Sequence, residues 1–353
     1  MFELRYQSYQ YSTSHSLPNL EELPEYAQVA FAFCRDWLAG QETFTQQTSG
    51  STGAPKLQVL SRTQMEASAA ATGAFFGTTT HSHLLCCLNP SYIAGKMMLV
   101  RAMVWDCPIT LVEPNANPLL GLAEQFTFVA LVPLQVEASL AKEKSRKLLQ
   151  SIPQVLIGGA ALPHKTQQRL VQQGIRAWQS FGMTETVSHI ALAPIEEGEL
   201  VYQALPGVAI GINEQDCLWI QSPMSGTERT QTNDIIELRS KNAFAWLGRA
   251  DFVVNSGGIK LFPEQLERRI APLLEETCPG CAYFLFGEND SRLGEQLVLY
   301  VEGNGEENKR LALEAGLEHI LGKYEVPKKV YFKSAFAYTP TRKINRHATA
   351  ASL

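Results

Sequence analysis

Residues 48–56 read TSGSTGAPK, a run of small hydroxyl side chains and glycines that ends in a single lysine. Successive backbone N–H groups and hydroxyls in such a loop can point towards one anion, and Lys56 adds a mobile positive charge. The stretch therefore predicts a phosphate-binding loop, with an ordinary surface turn as the alternative. It does not fit the P-loop of kinases and ATPases, because Gly50 and Gly53 are three residues apart and Pro55 precedes the lysine.

The segments on either side of this loop have the character of strands. ETFTQQ (42–47) and KLQVLS (56–61) partly alternate apolar and polar residues, so they predict a hairpin with a long connection. Ser61 and Gln64 then fit a capping box, which predicts that a helix begins after Ser61.

Length and composition narrow the class of protein. A chain of 353 residues suggests two domains, and a net charge of −5 argues against nucleic acid as a partner. The most apolar long segment, 91–112, is interrupted by three charged residues, so no membrane span is expected. Seven cysteines and an N-terminus without an apolar signal region predict a cytoplasmic protein. The pair Cys278 and Cys281 is interpreted as part of a helix-to-strand turn rather than as a zinc or redox site.

The order of the segments predicts an α/β fold. QVLIGGA (154–160) and IRAWQSFG (175–182) are typical of strands, and the helical pattern between them indicates a parallel pair with ligands at the strand ends. Strand-like pieces over 199–247 predict a β-rich subdomain. After GRAD (248–251) a small α+β domain follows, with a hairpin around NSGG and a helix that starts at Pro263.

Four further stretches offer groups suited to a nucleotide. GGA (158–160) and SFGMTET (180–186) follow strands, and Phe181 and Glu185 could stack on a base and bind Mg²⁺. TNDIIEL (232–238) offers Asp234 for ribose hydroxyls, and TPTRKINR (339–346) carries Lys343. Taken singly, each stretch is more often a turn or a solvated surface residue.

Taken in order, these stretches and GRADFVVNSGGIKLFPEQLE (248–267) resemble the adenylate-forming acyl/aryl-CoA ligase superfamily over residues 44–347. Within it, three stretches are similar to the o-succinylbenzoate–CoA ligases of menaquinone biosynthesis: NPSYIAGKMMLVRAM (89–103), GMTETVSHIAL (182–192) and GRADFVVNSGGIKL (248–261). The resemblance implies that ATP and a small carboxylic acid form an acyl adenylate, which CoA then converts to a thioester and AMP. ATP, Mg²⁺ and CoA are thus the expected cofactors and small-molecule partners, and the chain leaves monomer and homo-oligomer both open.

The resemblance also implies roles for individual residues. Lys343 would bridge the α-phosphate and the carboxylate, and Glu185 would hold the metal. The expected catalytic group is Lys56, Thr184, Glu185 and Lys343. The expected nucleotide contacts are Thr48, Ser49, Gly50, Ser51, Thr52, Gly53, Gly158, Gly159, Ala160, Ser180, Phe181, Gly182, Met183, Asp234 and Arg249.

By the same resemblance, residues 1–250 form an adenylation domain with a shortened N-terminus, and residues 251–353 form a mobile domain that carries Lys343. Asp251 would be the hinge, and Ser256, Gly257 and Gly258 would line the CoA channel. A substrate with a second carboxylate requires cations or hydroxyls in the acyl pocket, for which the candidates are Ser91, Lys96, Arg101 and Ser188.

The chain departs from the family pattern at three positions. Phe181 stands where a tyrosine is usual, and Asn233 and Arg342 stand where glycines are usual. Two alternative functions stay open at this point. One is an adenylating enzyme that uses another aryl or short acyl acid or transfers the acyl group to a carrier protein. The other is a nucleotide-binding protein that keeps the fold without turnover.

Overall fold

The structure, a computed structural model, describes residues 1–15, 17–47, 57–226, 228–339 and 344–351. The helices in these ranges are α1 Glu25–Leu38, α2 Arg62–Phe76, α3 Ile93–Val104, α4 Pro133–Ala141, α5 Glu143–Ser151, α6 His164–Gln172, α7 Pro263–Thr277, α8 Glu307–Ile320 and α9 Arg346–Ala351. Short 3-10 turns cover Leu20–Glu22, Thr184–Thr186 and Ala250–Phe252.

The strands fall into a long mixed sheet, a two-stranded hairpin and a five-stranded sheet. In chain order they are β1 Glu3–Tyr6, β2 Tyr9–Tyr11, β3 Thr43–Gln47, β4 Leu57–Ser61, β5 Leu84–Cys86, β6 Pro108–Leu111, β7 Phe128–Leu131, β8 Gln154–Ile157, β9 Ala177–Gly182, β10 His189–Pro194, β11 Val201–Ala204, β12 Ala209–Ile212, β13 Cys217–Gln221, β14 Thr230–Ser240, β15 Ala243–Arg249, β16 Val254–Ser256, β17 Ile259–Leu261, β18 Tyr283–Asp290, β19 Gly294–Glu302 and β20 Lys329–Lys333.

The chain divides into two compact units. Unit 1 comprises residues 1–211, 219–231 and 238–245, and unit 2 comprises residues 212–218, 232–237 and 246–353. Strands β12 to β15 therefore contribute residues to both units. The functional division at 250/251 stays a prediction.

In unit 1 the long sheet has the strand order β11-β10-β9-β8-β7-β5-β6-β1-β2. Neighbouring strands from β9 to β1 are parallel, whereas β10, β11 and β2 run antiparallel to their partners. Val129 and Ile157 of the parallel strands pack with Leu140, Leu149 and Leu170 of α4, α5 and α6 in one buried cluster. The predicted α/β architecture is confirmed, because parallel strands with buried apolar runs require helices to cover them.

Local sequence signals also place the ends of several elements correctly. β3 and β4 form the predicted antiparallel hairpin, from Thr43 opposite Ser61 to Gln47 opposite Leu57. The capping box at the start of α2 is present, with Gln64 N donating to Ser61 Oγ at 3.2 Å. Gly174, just after the C-terminus of α6, has a positive φ of +63°. Helix α7 starts at Pro263, as predicted.

Unit 2 contains the five-stranded sheet, whose two faces are covered by different parts of the chain. Leu285 of β18 packs with the apolar faces of α7 and α8, which include Ile270 and Leu317. Its neighbour Phe284 packs on the other face with Tyr300 and Phe336. The period-two alternation of a strand thus separates two apolar clusters in one small sheet. Cys278 and Cys281 lie in the connection between α7 and β18, as predicted.

Across the described ranges, no helix is both long and apolar enough to cross a membrane. The densest basic run of the chain, KEKSRK (142–147), lies at the start of α5, and Lys144 and Lys147 in it are exposed to solvent.

Glu264, in the first turn of α7, is buried, and its Oε2 has no hydrogen-bond partner among the described residues. Burial raises the pKa of this carboxyl to about 7, and the nearby Arg346 only partly opposes the shift. Between the ordinary pKa of 4.5 and the raised pKa, the folded chain binds more protons than the unfolded chain. The free energy of unfolding should therefore fall as the pH rises through this window.

We predict that Glu264→Gln becomes more stable relative to wild type as the pH is raised from 5 to 8. The gain should reach at most about 3 kcal/mol, since one unit of pKa shift corresponds to about 1.4 kcal/mol. Urea unfolding followed by circular dichroism at several pH values measures it. The control is Glu276→Gln, at an exposed position of the same helix, for which the difference from wild type should not change with pH. A pH-independent difference for Glu264→Gln would contradict the prediction.

Candidate functional site

The loop with which the sequence analysis began, Thr48 to Lys56, lies outside the described residues, as does Lys343. Its stem is described. In β4, directly after the loop, Gln58 Nε2 donates to the carbonyl oxygen of Thr184 at 3.3 Å. The stem of the predicted phosphate loop is therefore in contact with the SFGMTET stretch, which is 126 residues away in sequence.

The GGA and SFGMTET stretches meet at the carboxyl ends of β8 and β9, which are parallel neighbours. Ser180 Oγ donates to the carbonyl oxygen of Ile157 at 3.0 Å, and Gln179 Nε2 donates to that of Ala160 at 3.2 Å. A Cβ on Gly158 would collide with Ser180 Oγ, so only glycine fits there without movement. Gly159, with φ +84°, and Ala160 are exposed beside it. This edge offers backbone groups to a flat ligand, as the sequence indicates.

Phe181 lies half-buried on β9 in an aromatic cluster. Its ring meets Tyr202 and Phe244 edge to face, with centroids 5.6 and 5.2 Å away, while Tyr202 and Phe244 stack on each other. These contacts fix the position of the ring in unit 1. Its predicted stacking on adenine stays a prediction.

A tight turn follows β9 and presents Glu185 to solvent. The buried Thr186 closes it: its Oγ1 accepts from Met183 N at 3.2 Å and lies 2.8 Å from the carbonyl oxygen of Ser188. Val187 adopts φ +64°, a strained conformation for a β-branched residue. Gly182 is equally restricted, because a Cβ there would collide with the backbone of Ser188 and His189.

The fit of a magnesium ion can be tested on the donors of this turn. Glu185 supplies an exposed carboxylate and Thr184 a hydroxyl, which are oxygen ligands that Mg²⁺ accepts together with water and phosphate oxygens. In the part of the chain that the structure describes, no group of three or more His, Cys, Asp or Glu residues could hold a metal ion. The turn thus fits a magnesium ion that is shared with phosphates, and the assignment of Glu185 stays a prediction.

Arg101 of α3 is 2% exposed and extends to the other side of the same turn. Its Nη2 donates to Ser188 Oγ at 3.2 Å and lies 3.5 Å from His189 Nδ1. Burial, and then the charge of Arg101, lower the pKa of His189 well below its usual value, so the ring is neutral at pH 7. Thr72 Oγ1 lies 3.1 Å from its Nε2, so both ring nitrogens of His189 have a polar neighbour and the ring has a structural role. The guanidinium has no carboxylate partner in the described ranges, and its Nε has no hydrogen-bond partner there.

The four predicted acyl-pocket residues form two separate pairs. Arg101 and Ser188 are in contact, as described above. Lys96 and Ser91 instead contact β3: Lys96 Nζ lies 3.5 Å from the carbonyl oxygen of Thr45, and Gln46 Nε2 donates to that of Ser91 at 3.0 Å. Lys96 and Arg101 are five residues apart on α3, which separates their directions by about 140° around the helix.

In unit 2, Asp234 is held by the indole of Trp246, a residue that no sequence motif marks. Trp246 Nε1 donates to Asp234 Oδ1 at 2.9 Å, and Asp234 N donates to Thr232 Oγ1 at 3.0 Å. Burial raises the pKa of Asp234, while the indole hydrogen bond and Arg249 oppose the shift. One carboxylate oxygen is thus oriented, and the role of Asp234 towards ribose stays a prediction.

Arg249, the second predicted ribose contact, is paired with the predicted hinge residue. Its Nη2 lies 2.6 Å from Asp251 Oδ2, and Asn233 Nδ2 donates to Asp251 Oδ1 at 3.2 Å. The residue that replaces a usual glycine therefore contacts the residue expected at the hinge. Both pairs are partly exposed, so the structure leaves Arg249 accessible to another anion.

The predicted CoA-channel residues form the turn between β16 and β17. Gly257 and Gly258 have φ +57° and +85°, as a two-residue hairpin turn requires, and Gly257 N donates to the carbonyl oxygen of Leu293 at 2.8 Å. Ser256 precedes them at the end of β16. The hairpin is confirmed, and its contact with CoA stays a prediction.

Comparison with known proteins agrees with this geometry. A family described as AMP-binding enzyme matches residues 32–217. A solved acyl-CoA synthetase (AMP-forming)/AMP-acid ligase II-like protein from Dyadobacter fermentans is 40% identical, covers 95% of both chains and superposes with a TM-score of 0.65.

Two more distant relatives carry a named activity. The 2-succinylbenzoate–CoA ligase of Lactococcus lactis is 26% identical over 292 residues, which are 76% of this chain and 62% of that enzyme. The o-succinylbenzoate coenzyme A synthetase of Bacillus subtilis, solved with ATP and magnesium ion, shares the fold with a TM-score of 0.72 at 20% identity, over 87% of this chain and 69% of that one. Because the family match spans more than half of the sequence, and a 40% identical relative is covered almost completely, the chain belongs to the AMP-binding enzymes.

Proposed function

We propose that this enzyme activates a carboxylic acid with ATP and transfers the acyl group to CoA. The observation that carries the proposal is the meeting of the GGA edge, the SFGMTET turn and the stem of the 48–56 loop in unit 1. Exposed backbone groups, a carboxylate and the stem of the predicted phosphate loop at one sheet edge suit a nucleotide that carries phosphates, such as ATP. The names of the Lactococcus and Bacillus relatives support the same chemistry.

In the first step, a carboxylate oxygen attacks the α-phosphorus of ATP, the bond to the β-phosphate oxygen breaks, and pyrophosphate leaves. Two anions must approach each other, so Lys343 would lie between them and offset their repulsion. The hydroxyls and N–H groups of residues 48–53, with Lys56, would stabilise the charge that builds on the departing phosphates. Magnesium, held at Glu185 with the help of Thr184, would supply charge neutralisation on the phosphate oxygens.

In the second step, the CoA sulfur attacks the acyl carbon of the adenylate. The bond to the phosphate oxygen of AMP breaks, and the thiol proton goes to solvent. Gly158, Gly159, Ala160, Phe181 and their neighbours would frame adenine, and Asp234 and Arg249 would bind the ribose. We propose the turn Ser256 to Gly258 for the CoA channel, with residues 251–353 rotating about Asp251 between the two steps.

For the acid we propose o-succinylbenzoate, and Arg101 is the main argument. A buried guanidinium without a carboxylate partner is costly, and the cost falls when an anion binds it. Burial lowers the pKa of Arg101 only to about 10, so the group stays charged at neutral pH. A second carboxylate on the substrate would supply the missing partner. The hydroxyl of Ser188 would form a hydrogen bond beside it.

We predict acid-dependent exchange of pyrophosphate into ATP, first with o-succinylbenzoate and then with a panel of aryl and short acyl acids. In Lys343→Ala the rate should fall by about 100-fold or more, because the cation acts mainly in the transition state. The control is Lys323→Ala, an exposed lysine of the same unit, which should exchange like wild type. Exchange with another acid alone would overturn the choice of acid. A lack of exchange with every acid would overturn the reaction.

We predict that Arg101→Met raises the KM for the dicarboxylate by at least about 10-fold, since a lost charged hydrogen bond costs about 1.5–3 kcal/mol. The KM for a matched acid without the second carboxylate should stay unchanged. The free energy of unfolding should stay equal or rise, because an unpaired buried charge is removed. Kinetics and urea unfolding test both expectations.

Arg62→Met is the matched control. Arg62 pairs with Glu66 at 2.8 Å and donates to the carbonyl oxygen of Trp37 at 2.7 Å, so its replacement should lower stability without changing KM. If Arg101→Met behaves like Arg62→Met, Arg101 is a structural residue and the argument for a dicarboxylate fails.

A further inference from the structure

The described residues on both sides of segment 340–343 are fixed to each other. Tyr338 and Ile344 form an isolated β-bridge, and Asn345 N donates to the carbonyl oxygen of Ala337 at 2.8 Å. Ala337 N in turn donates to Thr349 Oγ1 at 3.0 Å, so the start of the segment is tied to α9. Ile344 directly follows Lys343, and the position of one therefore limits that of the other.

On the N-terminal side, Glu302 of β19 holds the chain by both carboxylate oxygens. Oε1 accepts from Phe336 N and Oε2 from Tyr338 Oη, each at 2.8 Å. On the C-terminal side, Arg346 forms a two-pronged ion pair with Glu267 of α7, with Nη1–Oε1 and Nη2–Oε2 distances of 2.8 and 2.9 Å. Each flank is thus attached by one glutamate to unit 2, the N-terminal flank to β19 and the C-terminal flank to α7.

The Arg346 guanidinium is contacted on several sides. Both side chains are nearly buried, 14% and 15% exposed, and Nη1 also donates to the carbonyl oxygen of Leu285 at 3.2 Å. The guanidinium lies over the ring of Phe252, 4.7 Å from its centroid. A planar fork held by two carboxylate oxygens, a carbonyl and a ring has little freedom to rotate.

Such a pair contributes little net stability, because desolvation of two charges offsets their attraction. Burial raises the pKa of Glu267 even though Arg346 lies against it, which indicates how strongly this carboxylate is desolvated. What the pair does provide is a fixed geometry. Three residues of chain span at most about 11 Å, so an anchored Arg346 restricts where Lys343 can be placed.

We propose that the Glu267–Arg346 ion pair is a positioning element for Lys343 in acyl-adenylate formation, and that it has no part in the transfer to CoA. The inference rests on the proposed function. It assigns Arg346 and Glu267 as positioning residues. They act through the backbone that connects Arg346 to Lys343 and do not touch the substrate.

The test separates the two half-reactions. Arg346→Gln should lower the acid-dependent exchange of pyrophosphate about 10- to 100-fold, the effect of misplacing a reacting group by about 1 Å. Formation of the thioester from a synthetic acyl adenylate and CoA should stay within about twofold of wild type, because that step does not use Lys343. Since Arg346→Gln leaves Glu267 unpaired, the double variant Glu267→Gln/Arg346→Gln, which keeps two amides that can bond, is measured beside it.

Arg269→Gln is the matched control. Arg269 also lies on α7 and pairs with a glutamate, Glu325, at 2.8 Å, but this pair is partly exposed and neither partner belongs to the stretches 336–339 and 344–346 that flank Lys343. Both half-reactions should be unchanged in it. In a Lys343→Ala background, Arg346→Gln should cause no further loss of exchange, since the group that it positions is gone.

Hydrogen exchange of the peptide 336–346 supplies a readout that does not depend on activity: it should be faster in Arg346→Gln than in wild type or Arg269→Gln. Equal losses in both half-reactions, an additive loss with Lys343→Ala, or unchanged hydrogen exchange would each overturn the inference. If the wild-type enzyme shows no pyrophosphate exchange with any of the acids, the proposed function fails. The hydrogen-exchange comparison still decides whether Arg346 anchors the chain next to Lys343.

Discussion

The parallel pairing of β8 with β9 is the constraint on which the rest of the candidate site depends. It brings the carboxyl ends of two strands to one edge of the sheet, so that Gly158 and Ser180 lie side by side although 22 residues separate them in sequence. The turn after β9 then continues to Glu185 and back to Ser188, where it meets Arg101. One backbone register therefore orders the expected adenine, metal and acyl positions.

Electrostatics divides the same turn into two environments. Glu185 on its outer side is exposed to water, whereas Arg101 on its inner side is buried with a neutral His189 and two hydroxyls. The outer position suits a hydrated divalent cation and the inner one an anion that has lost its water. The short turn between Glu185 and Ser188, which is strained at Val187, separates the two environments.

Features that depend on neighbours in sequence could be predicted from the sequence: the hairpin of β3 and β4, the capping box of α2, the start of α7 and the glycine turn at 257–258. Contacts between distant residues could not. Trp246 as the partner of Asp234, and Arg346 as the partner of Glu267, leave no periodic or motif signal, because the sheet and the helix packing alone bring them together. The separation of Lys96 from Arg101, by contrast, follows from their five-residue spacing because both lie on helix α3.

The two-faced sheet of unit 2 has a consequence for the integrity of the enzyme. Phe336, Ile344 and Ala350 help to cover Phe284 and Tyr300, so described residues on both sides of 340–343 form part of a buried aromatic layer. A protease that removed residues 336–351 would expose that layer and delete Lys343 in one event. Cleaved molecules would then tend to aggregate instead of accumulating as soluble, inactive competitors for ATP.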